Sequence, residues 1–381
     1  MKLLIVFHHW SYPDRYYEYL RKLAEYGHEV IAICADTRNS FSINKLCEKV
    51  TIYFPPYIDF SLRGKITPKY PLFIGLDKLL KSLDYDVMIM VSHLFLTSVQ
   101  ALKIALEINK PTVLGVHGVY AYRSPVLNLM QRLYLHTIAR WIFNKVDIVR
   151  CLTYEDALEI IRYGAPPSKI RIAPNPVDTD LFKPKVKRME NTLIWTGRMV
   201  PEKGLKYLIE AMSVLVHKYG HKDICLLLIG TGPQKSLLFR LVRRYRLSNN
   251  VNFLGRLPRK EIAEYLSKAT LFTFPSLREG MPFSLLEALS SGLPVVGSNV
   301  PGVRNLIIHN YNGLLVPPKD PMSLARAITY LLENRDLRLE MSRNAREYIM
   351  TNFSYEKVLP LLERLYSEAI ELHYNYNRHR L

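Results

Sequence analysis

The stretch from Leu271 to Gly302, LFTFPSLREGMPFSLLEALSSGLPVVGSNVPG, constrains the fold more than any other part of the chain. The apolar run Leu271 to Phe274 has strand character and breaks at Pro275. A loop, Ser276 to Pro282, carries Arg278, Glu279 and Gly280. A helical pattern from about Phe283 to Ser291 stops at Gly292 and Pro294, and a second buried-type strand, Leu293 to Gly297, comes next. Strand, loop, helix and strand in succession belong to a parallel α/β sheet. The loop empties onto a helix N-terminus, whose unbonded N–H groups and positive dipole end suit an anion such as a diphosphate.

Two carboxylates flank that anion site. Glu279 is in the loop, and Glu287 is in the first turns of the helix. Carboxylates are poor phosphate ligands but accept hydrogen bonds from hydroxyls, and the vicinal diol of a ribose or hexose is the obvious donor. The spacing admits a second reading. Ser284-Leu-Leu-Glu287 spells a capping box, in which Glu287 only closes its helix and Glu279 is a solvated loop charge.

The run E-G-M-P-F-S-L-L-E-A-L, followed by SGLPVVGSNVPG, resembles the signature of retaining glycosyltransferases of family 4. The resemblance implies an α/β fold of the GT-B type: two Rossmann-like, doubly wound domains facing across a cleft, with a C-terminal helix crossing back to the first. It also implies that Glu279 contacts the donor sugar and Glu287 holds the nucleotide ribose. Between them, Gly280, Met281, Pro282, Phe283 and Ser284 would bind the donor sugar and the phosphates.

At 381 residues the chain exceeds what one core usually supports, so two domains are expected. The apolar share of 49% and charged share of 23% are those of an ordinary globular protein. The opening MKLLIV reads as a buried strand rather than a signal peptide, because its apolar run ends at Phe7. No apolar run approaches the roughly 18–20 residues of a membrane span, so a cytoplasmic protein is expected. Cys34, Cys47, Cys151 and Cys225 are scattered without a C-x-x-C pair, which argues against a disulfide framework or a zinc site. A net charge of +18 points to a polyanionic neighbour: nucleic acid, acidic lipid or a phosphate-bearing substrate.

The first half alternates apolar strands (Leu3–Phe7, His28–Ile33, Val87–Val91, Thr112–Val116) with helical patterns such as Tyr16–Tyr26. His93 and His117 follow strand ends, where open α/β sheets place their ligands. Val116-His117-Gly118 resembles the family's His-Gly turn, which implies that His117 faces the donor sugar. The segment Asp59–Ser82 mixes Arg63, Lys65, Lys69, Lys78 and Lys81 with Phe60, Leu62, Tyr70 and Phe73. It suits an anionic membrane surface, or is a Pro-bearing loop and helix with solvated lysines. Val126 to Phe143 reads as a buried helix with one polar stripe, Asn128, Arg132, His136 and Arg140. That stripe is either a wet edge or the acceptor side of a cleft.

RIAPNPVDTDLFKP around Arg171 marks the domain boundary. The expected division is 1–180 for the acceptor-side domain, 181–352 for the donor domain and 353–381 for the returning helix. Pro176 stands where the family usually has Gly, so that turn must differ. Asp84-Tyr-Asp86 and Asp178-Thr-Asp180 spell the D-x-D of metal-binding transferases of another fold, but their positions read as structural. The family's Gly-Gly loop after strand one is absent: His8 to Pro13 has no such pair, and Arg15 could supply the charge instead.

The second half restarts with Thr192–Gly197 and G-R-M-V-P-E-K-G, which resembles the family's phosphate clamp. Arg198 and Lys203 would contact the donor diphosphate and stabilise the leaving group's developing charge. Strands Ile224–Gly230 and Val251–Gly255 end in turns that flank the nucleotide base in the family, bringing in Gly232 and Leu257.

The expected protein is a metal-independent transferase with no cofactor. It moves a hexose from a nucleoside-diphosphate sugar to a glycan or lipid-linked acceptor, and associates with the inner membrane face if at all. The alternatives are a sugar-nucleotide 2-epimerase and a non-catalytic basic binding protein. No stacking platform or recognition-helix motif supports nucleic acid as a partner.

Overall fold

The computed structural model describes residues 1–9, 13–36, 40–59, 71–118, 125–185 and 189–378. The chain divides into two compact units. The first holds Met1–Pro174 and Leu359–Leu381, and the second holds Asn175–Val358. The division therefore falls after Pro174, a few residues before the position after Asp180 that the composition suggested.

In the first unit, β1 (Lys2–His9), α1 (Pro13–Glu25) and β2 (Glu29–Ala35) open the sheet. Next come β3 (Ser42–Cys47) and β4 (Val50–Phe54), then a small hairpin, β5 (Tyr57–Asp59) with β6 (Pro71–Phe73). The alternation resumes with α2 (Leu76–Ser82), β7 (Val87–Met90), α3 (Leu96–Glu107) and β8 (Thr112–Val116). A longer helical segment follows: α4 (Pro125–Tyr134), a π-helical turn over Leu135–Ala139, and α5 (Arg140–Lys145). The unit continues through β9 (Ile148–Cys151), α6 (Tyr154–Arg162) and β10 (Ile170–Ile172).

Among the described residues the sheet order is β10-β9-β8-β7-β1-β2-β4-β3, parallel except for β3 on β4. The strands are near-continuous apolar runs because both faces are covered. Leu4, Val6, Met88, Met90, Leu114 and Val116 lie in one core with Ala101, Leu135 and Phe143 from the helices. Chain direction across the sheet reverses between β1 and β7, and ligands of open sheets gather at the carboxyl ends beside such a reversal.

The second unit runs β11 (Thr192–Thr196), α7 (Leu205–His217), β12 (Cys225–Ile229), α8 (Lys235–Arg244), β13 (Val251–Gly255) and α9 (Arg259–Lys268). It continues with β14 (Leu271–Phe274), α10 (Phe283–Ser290), β15 (Val295–Ser298), α11 (Pro301–Arg304) and β16 (Gly313–Val316). Helices α12 (Pro321–Glu333) and α13 (Arg335–Asn352) lead into α14 (Tyr355–Arg378). The sheet order is β13-β12-β11-β14-β15-β16, all parallel, and its reversal lies between β11 and β14.

Helix α14 opens in the second unit and belongs to the first from Leu359 onward. There Glu368 forms a paired-oxygen ion pair with Arg171, and Tyr366 meets Tyr19 at 3.3 Å between hydroxyls. His373 is wedged between Asp147 (3.2 Å) and Asn109 (3.2 Å). Asp147 in turn accepts from the Thr112 N–H and hydroxyl.

One expectation changes. The helix beginning at Val126 is not buried apart from a polar stripe: Val126, Leu129, Met130 and Leu133 are exposed, and the polar Gln131 is buried. The hydrophobic pattern reported an apolar helix correctly, but not which apolar face meets the core. Of the Asp59–Ser82 segment, residues 60–70 lie outside the described residues. The remainder gives α2, with Leu76 and Leu80 buried and Lys78 and Lys81 exposed.

The four cysteines are free thiols. Both D-x-D runs make local protein contacts: Asp86 accepts from Lys2 N–H, Asp84 pairs with the Lys2 side-chain Nζ at 2.5 Å, and Asp178 accepts from the N–H groups of Asp180 and Leu181. Among the described residues no helix is long and apolar enough to cross a membrane.

Candidate active site

In the second unit the loops after β11 and β14 leave the sheet side by side, because those strands are neighbours. They are zipped together. Leu277 N–H donates to the Glu202 carbonyl at 2.7 Å, and a Cβ on Gly204 would lie 2.0 Å from the Pro275 carbonyl oxygen. Gly204 also has φ +63°, so glycine is required there by conformation as well as by space.

Across this seam Lys203 Nζ meets Glu279 Oε1 at 2.6 Å. Lys203 also lies 5.6 Å from the Phe274 ring centroid, which adds a cation–π contact. Arg198 opens the same loop and its side chain is exposed. The structure thus joins the predicted clamp lysine to the predicted sugar-contacting carboxylate.

The loop from Glu279 is supported from behind by α11. A Cβ on Gly302 would lie 1.8 Å from the Gly280 carbonyl oxygen and 2.5 Å from that of Glu279. Met281 is buried, and its Sδ accepts from the Asn175 N–H at 3.3 Å, beside the Pro176 that replaces the expected glycine. Pro282 is the N-cap of α10, and no side chain caps this end. Ser284 falls within the helix rather than at its cap, so the capping-box reading of Glu287 does not hold. Phe283 and Ser284, half-buried, form the first turn, where helix N–H groups lack intrahelical acceptors.

Glu287 is only 3% exposed and its Oε1 meets Arg259 Nη1 at 3.1 Å. Arg259, the first residue of α9, stacks its guanidinium 5.1 Å from the ring centroid of Phe182. The Phe182 carbonyl accepts from Ser290 and Arg346. Sequence reasoning missed Arg259, Phe182 and Gly302. Only the packing of α9 against α10 brings Arg259 to Glu287, and no local pattern encodes it.

Gly232 backs onto the Arg198 loop: a Cβ there would lie 2.5 Å from the Met199 carbonyl oxygen, which accepts from Gln234 N–H. Leu257 is in the turn after β13, at the sheet edge and two strands from β11. The group that converges is therefore Lys203, Glu279 and the α10 N-terminus, with Glu287 held by Arg259. Cations and helix N–H groups suit an anion there, and carboxylates suit hydroxyls.

His117 belongs to the first unit, after β8. Its ring lies over Gly115, where a Cβ would come within 3.4 Å of Nε2. Burial, with the charge of Arg150 and neighbouring His93, pushes its pKa down to about 3. His93, after β7, is fully buried, and neither ring nitrogen has a hydrogen-bond partner among the described residues. Burial pushes it down to about 4. Both rings are thus neutral at ordinary pH. Arg15, offered as a substitute for the missing Gly-Gly loop, is in the first turn of α1. Among the described residues no group of three or more His, Cys, Asp or Glu side chains is arranged to hold a metal ion.

Two family profiles tile most of the chain. The one described as Glycosyltransferase Family 4 matches residues 15–181, and Glycosyl transferases group 1 matches residues 177–348. An Escherichia coli UDP-Gal:alpha-D-GlcNAc-diphosphoundecaprenol alpha-1,3-galactosyltransferase is 28% identical, over 87% of this chain and 90% of that protein. Among solved structures, a sucrose-phosphate synthase from Thermosynechococcus elongatus superposes with TM-score 0.79 at 20% identity, over 97% of this chain and 98% of that one. Anabaena HepE in complex with UDP-glucose gives TM-score 0.77 at 18% identity, over 96% and 100%. These likenesses show the GT-B fold.

Proposed function

The chain belongs to glycosyltransferase family 4, and we propose that it moves a hexose from a nucleoside-diphosphate sugar to a hydroxyl of a glycan or lipid-linked acceptor, with retention at the anomeric carbon. The observation that carries this reading is the Lys203–Glu279 pair at the mouth of α10, with the buried Glu287 in the same helix. In this reading Lys203, Arg198 and the first turn of α10 take the diphosphate. Glu279 accepts from sugar hydroxyls and Glu287 from the ribose diol. Gly280 to Ser284 shape the sugar pocket, Gly232 and Leu257 border the base, and His117 contributes a neutral ring to the donor sugar.

The reaction breaks the bond between the anomeric carbon and the diphosphate oxygen and forms one to the acceptor oxygen on the same face. The acceptor proton passes to the departing diphosphate. Fixed cations answer the charge that develops on the leaving group. We propose that they do so without a metal.

A uridine nucleotide is the first donor to try, and a lipid-borne acceptor the first acceptor, because the E. coli relative is named for both. The work would then be done at the inner face of the cell membrane. The test is product analysis: purified protein, UDP-hexoses and a diphosphate-linked lipid acceptor, with and without chelator. Support is an α-linked product from an α-donor that forms equally well with chelator. A β-linked product, strict metal dependence, or donor consumed with no acceptor modified would reject the corresponding part of the proposal.

A further inference from the structure

The outward face of α4 is apolar. Val126, Leu129, Met130 and Leu133 fall at the three- and four-residue spacing of one helix face and are 66%, 60%, 60% and 58% exposed. The inward side, with Gln131 and, in the π-helical turn that follows, Leu135 and Ala139, is buried. Beside the apolar strip runs an exposed basic edge, Arg132, His136 and Arg140, and Lys145 closes the segment. From Pro125 to Lys145 there is no Asp or Glu. The helix is fastened to the carboxyl end of its sheet, because the Tyr134 hydroxyl donates to the His93 carbonyl.

We infer that this face of α4 docks on an anionic lipid bilayer. Val126, Leu129, Met130 and Leu133 enter the boundary between headgroups and acyl chains, and Arg132, Arg140 and Lys145 meet lipid phosphates. The acid-free basic border argues for this occupant: an apolar protein partner would use the four apolar residues but would not call for it, whereas an anionic surface is complementary to it. The net charge of +18 draws the chain in the same direction. The inference rests on the reading of a lipid-linked acceptor. Docking through α4 brings the carboxyl end of the first unit's sheet, with His93 and His117, to the layer where such an acceptor is anchored.

The test is co-sedimentation of the full chain with vesicles of phosphatidylcholine alone, or mixed with phosphatidylglycerol, at low and high salt. Wild-type protein binds the anionic vesicles, more weakly at high salt, and at least about tenfold better than the neutral ones. Leu129→Glu with Leu133→Glu lowers that binding by about tenfold or more while the melting temperature stays near wild type, since both positions are exposed. Met130→Glu alone gives a smaller loss, and Arg132→Gln flattens the salt dependence.

Three results would overturn the inference: no binding by wild-type protein, undiminished binding by the double leucine variant, or a wild-type dimer that this variant converts to monomer. Transfer to a water-soluble short-chain acceptor separates the two proposals. If wild type transfers to neither acceptor but still binds vesicles, the function reading fails and the docking stands. If transfer to the soluble acceptor persists while vesicle binding is absent, the docking fails alone.

Discussion

Lys203 Nζ lies 2.6 Å from Glu279 Oε1, across the seam between the loops that follow β11 and β14. Lys203 is one-fifth exposed and Glu279 less than a tenth, so the two form a largely buried ion pair. A diphosphate beside Lys203 and a sugar hydroxyl beside Glu279 would replace that pairing rather than meet bare buried charges. One charge-assisted hydrogen bond to a phosphate is worth roughly 1.5–3 kcal/mol. Lys203→Ala is therefore expected to lower kcat/KM by about 10- to 150-fold, read by initial rates at saturating acceptor. A variant at wild-type kcat/KM would remove Lys203 from the site.

Arg259 is expected to position Glu287. Arg259→Met leaves that carboxylate buried without its guanidinium, and breaking a buried pair costs on the order of 3–5 kcal/mol. If Glu287 holds the ribose, the donor KM should rise more than kcat falls, and Arg259→Lys should restore part of both losses. Glu287→Ala should likewise act mainly on the donor KM. Steady-state kinetics with varied donor decide the matter. If kcat falls while KM holds, Glu287 has some role other than holding the ribose.

Gly302→Ala tests whether the backbone contact behind Glu279 matters. The added methyl would lie 1.8 Å from the Gly280 carbonyl oxygen, so loop or helix must move. Overpacking of this kind costs about 1–3 kcal/mol. The expected outcome is a lower melting temperature together with lower activity. A variant with normal stability and normal turnover would show that the loop yields without consequence.

Two histidines, the fully buried His93 and the half-buried His117, set an acid limit for the first unit. His93 has its pKa lowered from 6.5 to about 4 by burial, so in that interval the unfolded chain binds a proton that the folded one does not. Stability is then complete above pH 6.5 and falls as pH drops toward 4. The loss from His93 alone reaches about 3 kcal/mol, and His117 adds to it in the same direction. Urea melts across that range should flatten for His93→Leu. An unchanged slope would mean that His93 ionises in the folded state as it does in water.

Much of this was legible beforehand, and the reasons are local. Leu271–Phe274 and Thr112–Val116 are short apolar runs between breakers, and both are strands with those bounds. Glu279 and Lys203 could be picked out because a shared motif marks each, but their ion pair depends on β11 and β14 being neighbours, which no window of sequence states. Arg259 carries no motif and reaches Glu287 only through the packing of α9 on α10. Helix α4 shows the other limit. Its composition reads as a buried, mostly apolar helix with one polar stripe, whereas tertiary packing put Gln131 and Leu135 in the core and left Leu129 and Leu133 outside. The antiparallel β3 and the hairpin of β5 and β6 gave no clear alternation to read.

The most direct test of the donor site is thermal shift of the purified protein with UDP, GDP, ADP and their common sugars, with and without divalent metal, in wild type and Glu287→Ala. Ligand that binds only the folded form raises the melting temperature by mass action. The expected result is a shift from one nucleotide family, independent of metal in wild type and lost in Glu287→Ala. No shift with any nucleotide, or a shift that Glu287→Ala leaves intact, would contradict the assignment of Glu287 and the α10 N-terminus as the donor site.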